Sequence, residues 1–187
     1  PPSYLAPTDA LSVRWRRDYL HALVSRDMPM LGVNVPQDTL WRFVRMLAHL
    51  NGQIVNLSSL GASMGGLSHT TISKYLDLFY NTFLVRKLEP YFVNIGKRLV
   101  KSPKVYVRDS GLVHALLGLS DLDAVLGHPI AGSSWEGFVL EQLINAAPQA
   151  QASFYRTSNG AEVDLVLTFR QQQTWAIEIK RSSAPTV

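Results

Sequence analysis

The sequence has no cysteine, which excludes disulfides and any thiolate metal site and is compatible with a reducing compartment. It has no apolar run of about 18 residues, the length a membrane-spanning helix requires. It shows no basic-then-apolar N-terminal pattern of a secretory signal. A cytoplasmic setting without membrane contact is therefore expected. The glycine-rich pattern ending in Gly-Lys-Ser/Thr is also missing, so no nucleotide site of that type is visible. Neither an internal repeat nor a low-complexity tract is present. Charged residues make up only 17 % of the chain and apolar residues 47 %, a balance that suits a globular fold with a real core.

The charge that is present is uneven. Residues 1–108 carry 14 Lys/Arg against 6 Asp/Glu, whereas residues 109–187 carry 4 against 8. The first part is the candidate for contact with a polyanion and the second gathers carboxylates. A bland reading stands beside this one, in which two regions differ only in surface composition.

Periodicity predicts a helix from about Asp9 to Val24, with Leu11, Trp15, Tyr19 and Leu23 at spacing four. Pro29 and Pro36 then mark a connecting segment. A second helix runs from Asp38, with Leu40, Phe43, Val44 and Leu47 on one side, and stops at Asn51-Gly52. Asn56 or Ser58 caps a short third helix. Ser68 caps a fourth, whose apolar face is Ile72, Tyr75, Leu76 and Phe79. Strands over residues 83–93 and in KVYVRD follow, flanking a basic turn. Three helices and then a hairpin is the winged helix-turn-helix order. Asp109-Ser110 caps a turn or short helix up to Gly118. Ser134 is expected to cap a longer helix, WEGFVLEQLINAA, before the strands ASFYRT, EVDLVLTF and TWAIEIK. The whole reads as α+β. The scattered His21, His49, His114 and His128 lack ligand spacing, and Trp15, Trp41, Trp135 and Trp175 are expected as core anchors.

The last two strands carry the chemistry. Alternation puts Glu162 and Asp164 on one face of EVDLVL, and Glu178 and Lys180 on one face of AIEIK. A three-residue connection through Arg170-Gln171-Gln172 pairs Phe169 with Gln173. That register sets Asp164 opposite Glu178 and Glu162 opposite Lys180. Directly opposed like charges weaken a strand pair, so a divalent cation, a basic group or a raised carboxyl pKa should offset them. An Asp followed about 14 residues on by Glu-x-Lys has the spacing of the PD-(D/E)XK nuclease core. In that chemistry Asp164 and Glu178 would hold Mg²⁺, which activates a water that Lys180 positions. Glu136 stands where such folds recruit a glutamate from the preceding helix. The alternative is a salt-bridged sheet face, with Lys180, Arg156 and Arg181 neutralising the acids without a metal.

Several stretches together resemble one family: KRLVKSPKVYVRDSGLVHALLG, GSSWEGFVLEQL, FYRTSNGAEVDLVL and AIEIKRS, with YLHALVSRD and LSSLGASMGGLSHTTISKYLDLFYNTFLVRKLEPY earlier. It is the uncharacterised C-terminal domain family found downstream of bacterial and archaeal AAA-type P-loop ATPase domains. The resemblance implies a winged helix-turn-helix region followed by a restriction-endonuclease-like region with a mixed sheet, and puts Glu136, Asp164, Glu178 and Lys180 on the nuclease motif. It divides the chain into an arm (1–36), a winged region (37–108) and a nuclease-like region (109–187) expected to stop short of its full core. ATP would be bound only by the ATPase domain, which is the implied partner. DNA or another nucleic acid is the second partner, contacted mainly at the phosphate backbone by Lys74, Arg86, Lys87, Lys97, Arg98, Lys101 and Lys104. For Lys101 and Lys104 a second expectation stays open, that they face the carboxylates instead.

Overall fold

The computed structural model describes residues 5–91, 102–157, 159–170 and 173–181. Thr8 accepts from Leu11 N to start α1 (Asp9–Ala22). The helix does not stop at the proline-containing segment, as the sequence predicts. It widens into a π-helical turn (Leu23–Asp27) and ends in α2 (Met28–Met30). Pro29 has no N–H and would clash with the carbonyl four residues back. That carbonyl, on Ser25, accepts instead from the Gln37 side chain at 3.3 Å.

The next elements are α3 (Gln37–His49), β1 (Gln53–Ile54), α4 (Leu57–Ser63) and α5 (His69–Asn81). Asn56 caps α4 and Ser68 caps α5, each accepting a first-turn amide three residues on. Strands β2 (Val85–Leu88) and β3 (Lys104–Val107) follow. Then come α6 (Ser110–Leu116), capped by Asp109, α7 (Leu122–Leu126) and α8 (Ala131–Ala146). The meander β4 (Gln151–Arg156), β5 (Glu162–Thr168) and β6 (Thr174–Ile177) closes the described fold.

The result is a mixed α+β protein with two small antiparallel sheets, ordered β1-β3-β2 and β4-β5-β6. The expected mixed sheet is not found among the described strands. The parallel element is an isolated bridge, Pro90 to Phe154, by which the chain leaving β2 runs along the outer edge of β4.

Two cores meet at β3. Leu20, Val24, Met28, Phe43, Leu47, Ile72 and Phe79 form the helical core, joined by Val105 and Val107. The arm is thus part of this core through Leu20, Leu23, Val24 and Met28, and so is α6 through Leu112 and Val113. The second core is Leu88, Tyr106, Leu140, Phe154, Leu165 and Leu167. Strand alternation sends Val105 and Val107 to the first core and Lys104 and Tyr106 to the second. All four β3 residues are therefore buried, unlike a strand with one wet face. Asn51 pins the joint from the turn after α3: its amide donates to Ser133 O at 3.0 Å and its oxygen accepts from Val107 N at 2.8 Å.

Helix α8 begins three residues before the expected Ser134 cap. Ser134 is instead a buried residue of its first turn, 2.8 Å from His114 Nε2. Trp135 and Trp175 are not core anchors; they are 42 % and 52 % exposed.

Candidate functional site: an acidic cleft with a buried lysine

The β5–β6 register follows the turn argument. Thr168 pairs with Thr174 and Leu165 with Ile177, and Phe169 N donates to Gln173 O. One step further along this ladder, Asp164 faces Glu178. The ladder stops there because the Asp164 carboxylate takes over: its Oδ2 accepts from Ile179 N at 2.8 Å. Glu162 consequently does not pair with Lys180. It pairs across β4–β5 with Arg156 at 3.1 Å, and Lys180 folds back onto Glu178 of its own strand end.

Glu136, Asp164, Glu178 and Lys180 line one open cleft of about 810 Å³, together with Glu162, Arg156 and Lys104.

 The cleft's walls come from α8, from β1, β3, β4 and β5, and from the segment just after β6. Gly137 lets α8 pass close over Tyr106, where a Cβ would stand 3.2 Å from the ring, and this brings Glu136 to the Tyr106 hydroxyl, which donates to it.

Lys104 sits at the centre. Its side chain is 3 % exposed, and its ammonium bonds Glu162, lies 3.3 Å from Glu136 Oε1 and 3.9 Å from Asp164 Oδ1. The Phe154 ring lies behind it, 5.7 Å away. Burial pulls the Lys104 pKa down, but the bond to Glu162 and the charges of Glu136, Glu162 and Asp164 outweigh it and leave the pKa above the usual lysine value. Lys104 is thus a fixed cation. The Asp164 pKa also lies above its usual value: burial raises it and the neighbouring Glu178 adds to this, against the Ile179 amide, Lys104 and Lys180. Burial, then Glu136, pushes the Tyr106 hydroxyl far up, so it stays a donor.

The expected Mg²⁺ ligands, Asp164 and Glu178, are engaged with protein groups in this arrangement. The ammonium of Lys104 takes the space among Glu136, Glu162 and Asp164. One Asp164 oxygen is committed to the backbone, and Glu178 lies exposed on the rim against Lys180. Among the described residues no group of three or more His, Asp or Glu is arranged to hold a metal ion.

The basic residues expected to meet phosphate are partly used up inside the protein. Arg86 and Arg108 clamp the buried Glu141 of α8, with Arg86 Nη2 and Arg108 Nε each 3.0 Å from Oε2. Lys87 bonds Asp77 at 2.7 Å and lies over the Tyr80 ring. Lys104 is in the cleft. Lys74 is exposed on α5, beside the exposed His69 and Thr70. Lys97, Arg98 and Lys101 lie outside the described residues. Sequence reasoning missed Glu141, Tyr106 and the role of Glu162 as the chief partner of Lys104. Of these, only Glu162 carried a signal, its place on the charged face of β5.

Comparison with known proteins gives two family models, both described as a domain of unknown function: DUF8612 over residues 1–123 and DUF4143 over residues 131–187. Uncharacterized proteins of Mycobacterium tuberculosis and Mycobacterium bovis are each 41 % identical over all 187 residues. The chain spans 42 % of the length of these relatives. No solved structure matches it.

Proposed function

The chain belongs to the family described as Domain of unknown function (DUF8612), and we propose that it is a non-catalytic, nucleic-acid-binding module built on a nuclease-like scaffold. The observation that carries this reading is the buried Lys104 ammonium among Glu136, Glu162 and Asp164. A two-carboxylate nuclease holds a divalent ion beside that space, on the pair expected here to be Asp164 and Glu178. Here a side chain supplies the charge, so no phosphodiester chemistry follows from the cleft. The order helix α8, then strands β4, β5 and β6, supports the nuclease-like scaffold. The order α3, α4, α5, then β2 and β3, supports a winged-helix reading of the first half. The greater length of the relatives, together with the resemblance described above, supports an AAA-type ATPase part elsewhere in the full-length protein. ATP would act there, and this module would report to it in the cytoplasm.

Nucleic-acid contact on this reading is through the backbone and modest. With Arg86, Lys87 and Lys104 held in ion pairs, the contacts left to propose are four, Lys74 and the three candidates outside the described residues, Lys97, Arg98 and Lys101. Four phosphate contacts give a log–log salt slope of about −4 on duplex DNA, against about −6 for all seven. The deciding experiment incubates the full-length protein with plasmid and Mg²⁺ beside an Asp164→Ala/Glu178→Ala variant. The expected result is no cleavage above background by either, with DNA retained in a gel shift at the shallower slope. Mg²⁺-dependent cleavage by the wild type alone overturns the non-catalytic reading, and absence of any shift at low salt overturns the nucleic-acid reading.

A second reading, protein docking, is favoured by Phe83. This residue is 75 % exposed and holds φ 59°, a conformation unfavourable for a bulky side chain. It opens onto a cleft of about 840 Å³ that also takes in Trp15, Tyr19 and Phe138.

A further inference from the structure

We propose that Lys104 is a built-in counter-cation: it does for this fold what a bound divalent ion would do, holding the carboxylates of α8 and β5 together and making the cleft independent of metal. The inference rests on the non-catalytic reading and extends it to a role for one residue in assembling the two halves of the chain.

Three observations carry it. The first is sharing. Among the described residues Arg156 pairs with Glu162 and Lys180 with Glu178, one carboxylate each, whereas Lys104 lies within 3.9 Å of Glu136, Glu162 and Asp164. The second is burial. Lys180 and Glu178 are exposed, and such pairs contribute little. The Lys104 side chain is 3 % exposed in a strand otherwise made of Val105, Tyr106 and Val107, and a charge in that setting persists only when it is paired. The third is origin. Lys104 belongs to the sheet of the first half, and the three carboxylates belong to α8 and β5 of the second. Its ion pairs therefore cross the joint between the two cores, as one ion held by ligands from several elements does. Tyr106, two residues along on the same face of β3, adds a hydroxyl bond to Glu136.

Removing the ammonium leaves three carboxylates facing one space. Oxygen donors of this kind suit hard divalent cations. The wild-type protein is thus expected to gain nothing from such an ion, and a protein lacking the ammonium is expected to acquire a need for one.

The test measures thermal unfolding and Mn²⁺ binding of the full chain as wild type, Lys104→Arg and Lys104→Met. Wild type and Lys104→Arg should unfold at temperatures that Mn²⁺ does not change. Lys104→Met should be restabilised by Mn²⁺ and bind it about tenfold or more tighter than wild type. If Lys104→Met does not fold without metal, the double variant Lys104→Met/Glu162→Gln removes one charge of each sign and serves in its place. Mn²⁺ binding by wild type as tight as by Lys104→Met overturns the proposal, as does a folded Lys104→Met, or the double variant in its place, that binds no better than wild type. Cleavage of DNA by the wild type bears on the proposed function and is scored separately in the plasmid assay.

Discussion

Asp164 shows how burial and register act on one residue. It faces Glu178 across the strand pair, and burial raises its pKa with Glu178 adding to the effect. A carboxyl whose folded pKa lies above its unfolded value stabilises the fold while protonated, below the usual carboxylate range, and loses that contribution as pH rises through the folded pKa. Asp164→Asn keeps an oxygen to accept the Ile179 amide and has no charge to lose. The difference in melting temperature between Asp164→Asn and wild type should therefore grow in favour of the variant from about pH 4 upward. A constant difference across that range would contradict the account. The opposition of Asp164 and Glu178 was legible in the sequence, because strand alternation and a three-residue connection determine it. The resident cation was not determined in the same way. Lys104 lies 32 residues from Glu136 and 60 from Asp164 in the chain, and only the packing of the second core on β3 turns its side chain inward.

Elements were legible where their signals are local. Asn56, Ser68 and Asp109 each cap a helix through an amide three residues away, and such caps can be read directly from a short window. The start of α8 was misread because Ser134 resembles a cap, yet its hydroxyl is engaged with His114 on another helix. The helix around Pro29 was misread as a break because a π-helical turn, with Gln37 satisfying the freed Ser25 carbonyl, needs a partner 12 residues away. The join between α5 and β2 carries a further prediction. Phe83 occupies the left-handed region at φ 59° with its ring largely in solvent. Asn tolerates this conformation and Phe does not, so Phe83→Asn should stabilise the protein by about 1 kcal/mol in urea titrations. Destabilisation would mean that the ring packs more than its exposure indicates.

At the scale of the whole molecule, two ionic joints tie the halves together. One is Lys104 with its three carboxylates. The other is Glu141 of α8, 5 % exposed, between Arg86 of β2 and Arg108. Glu141→Gln removes the charge shared by two guanidinium groups. These stay partly solvated, at 20 % and 29 % exposure, so the loss should lie near the lower end of roughly 1.5–3 kcal/mol, read from chemical denaturation. No change in stability would remove the clamp from the account. The sequence presented Arg86, Lys87 and Lys104 as one basic surface of a wing, with Lys104 facing the carboxylates as the alternative for that residue. The second core covers one side of β3, and much of that charge serves the joints instead. The central claim, that a lysine and not a metal occupies the carboxylate cleft, is tested most directly by a crystal structure of the protein soaked in Mn²⁺. The account predicts no anomalous peak between Asp164 and Glu178, with the Lys104 ammonium on Glu162 and Glu136. A Mn²⁺ peak on Asp164 and Glu178, with Lys104 displaced, would contradict it.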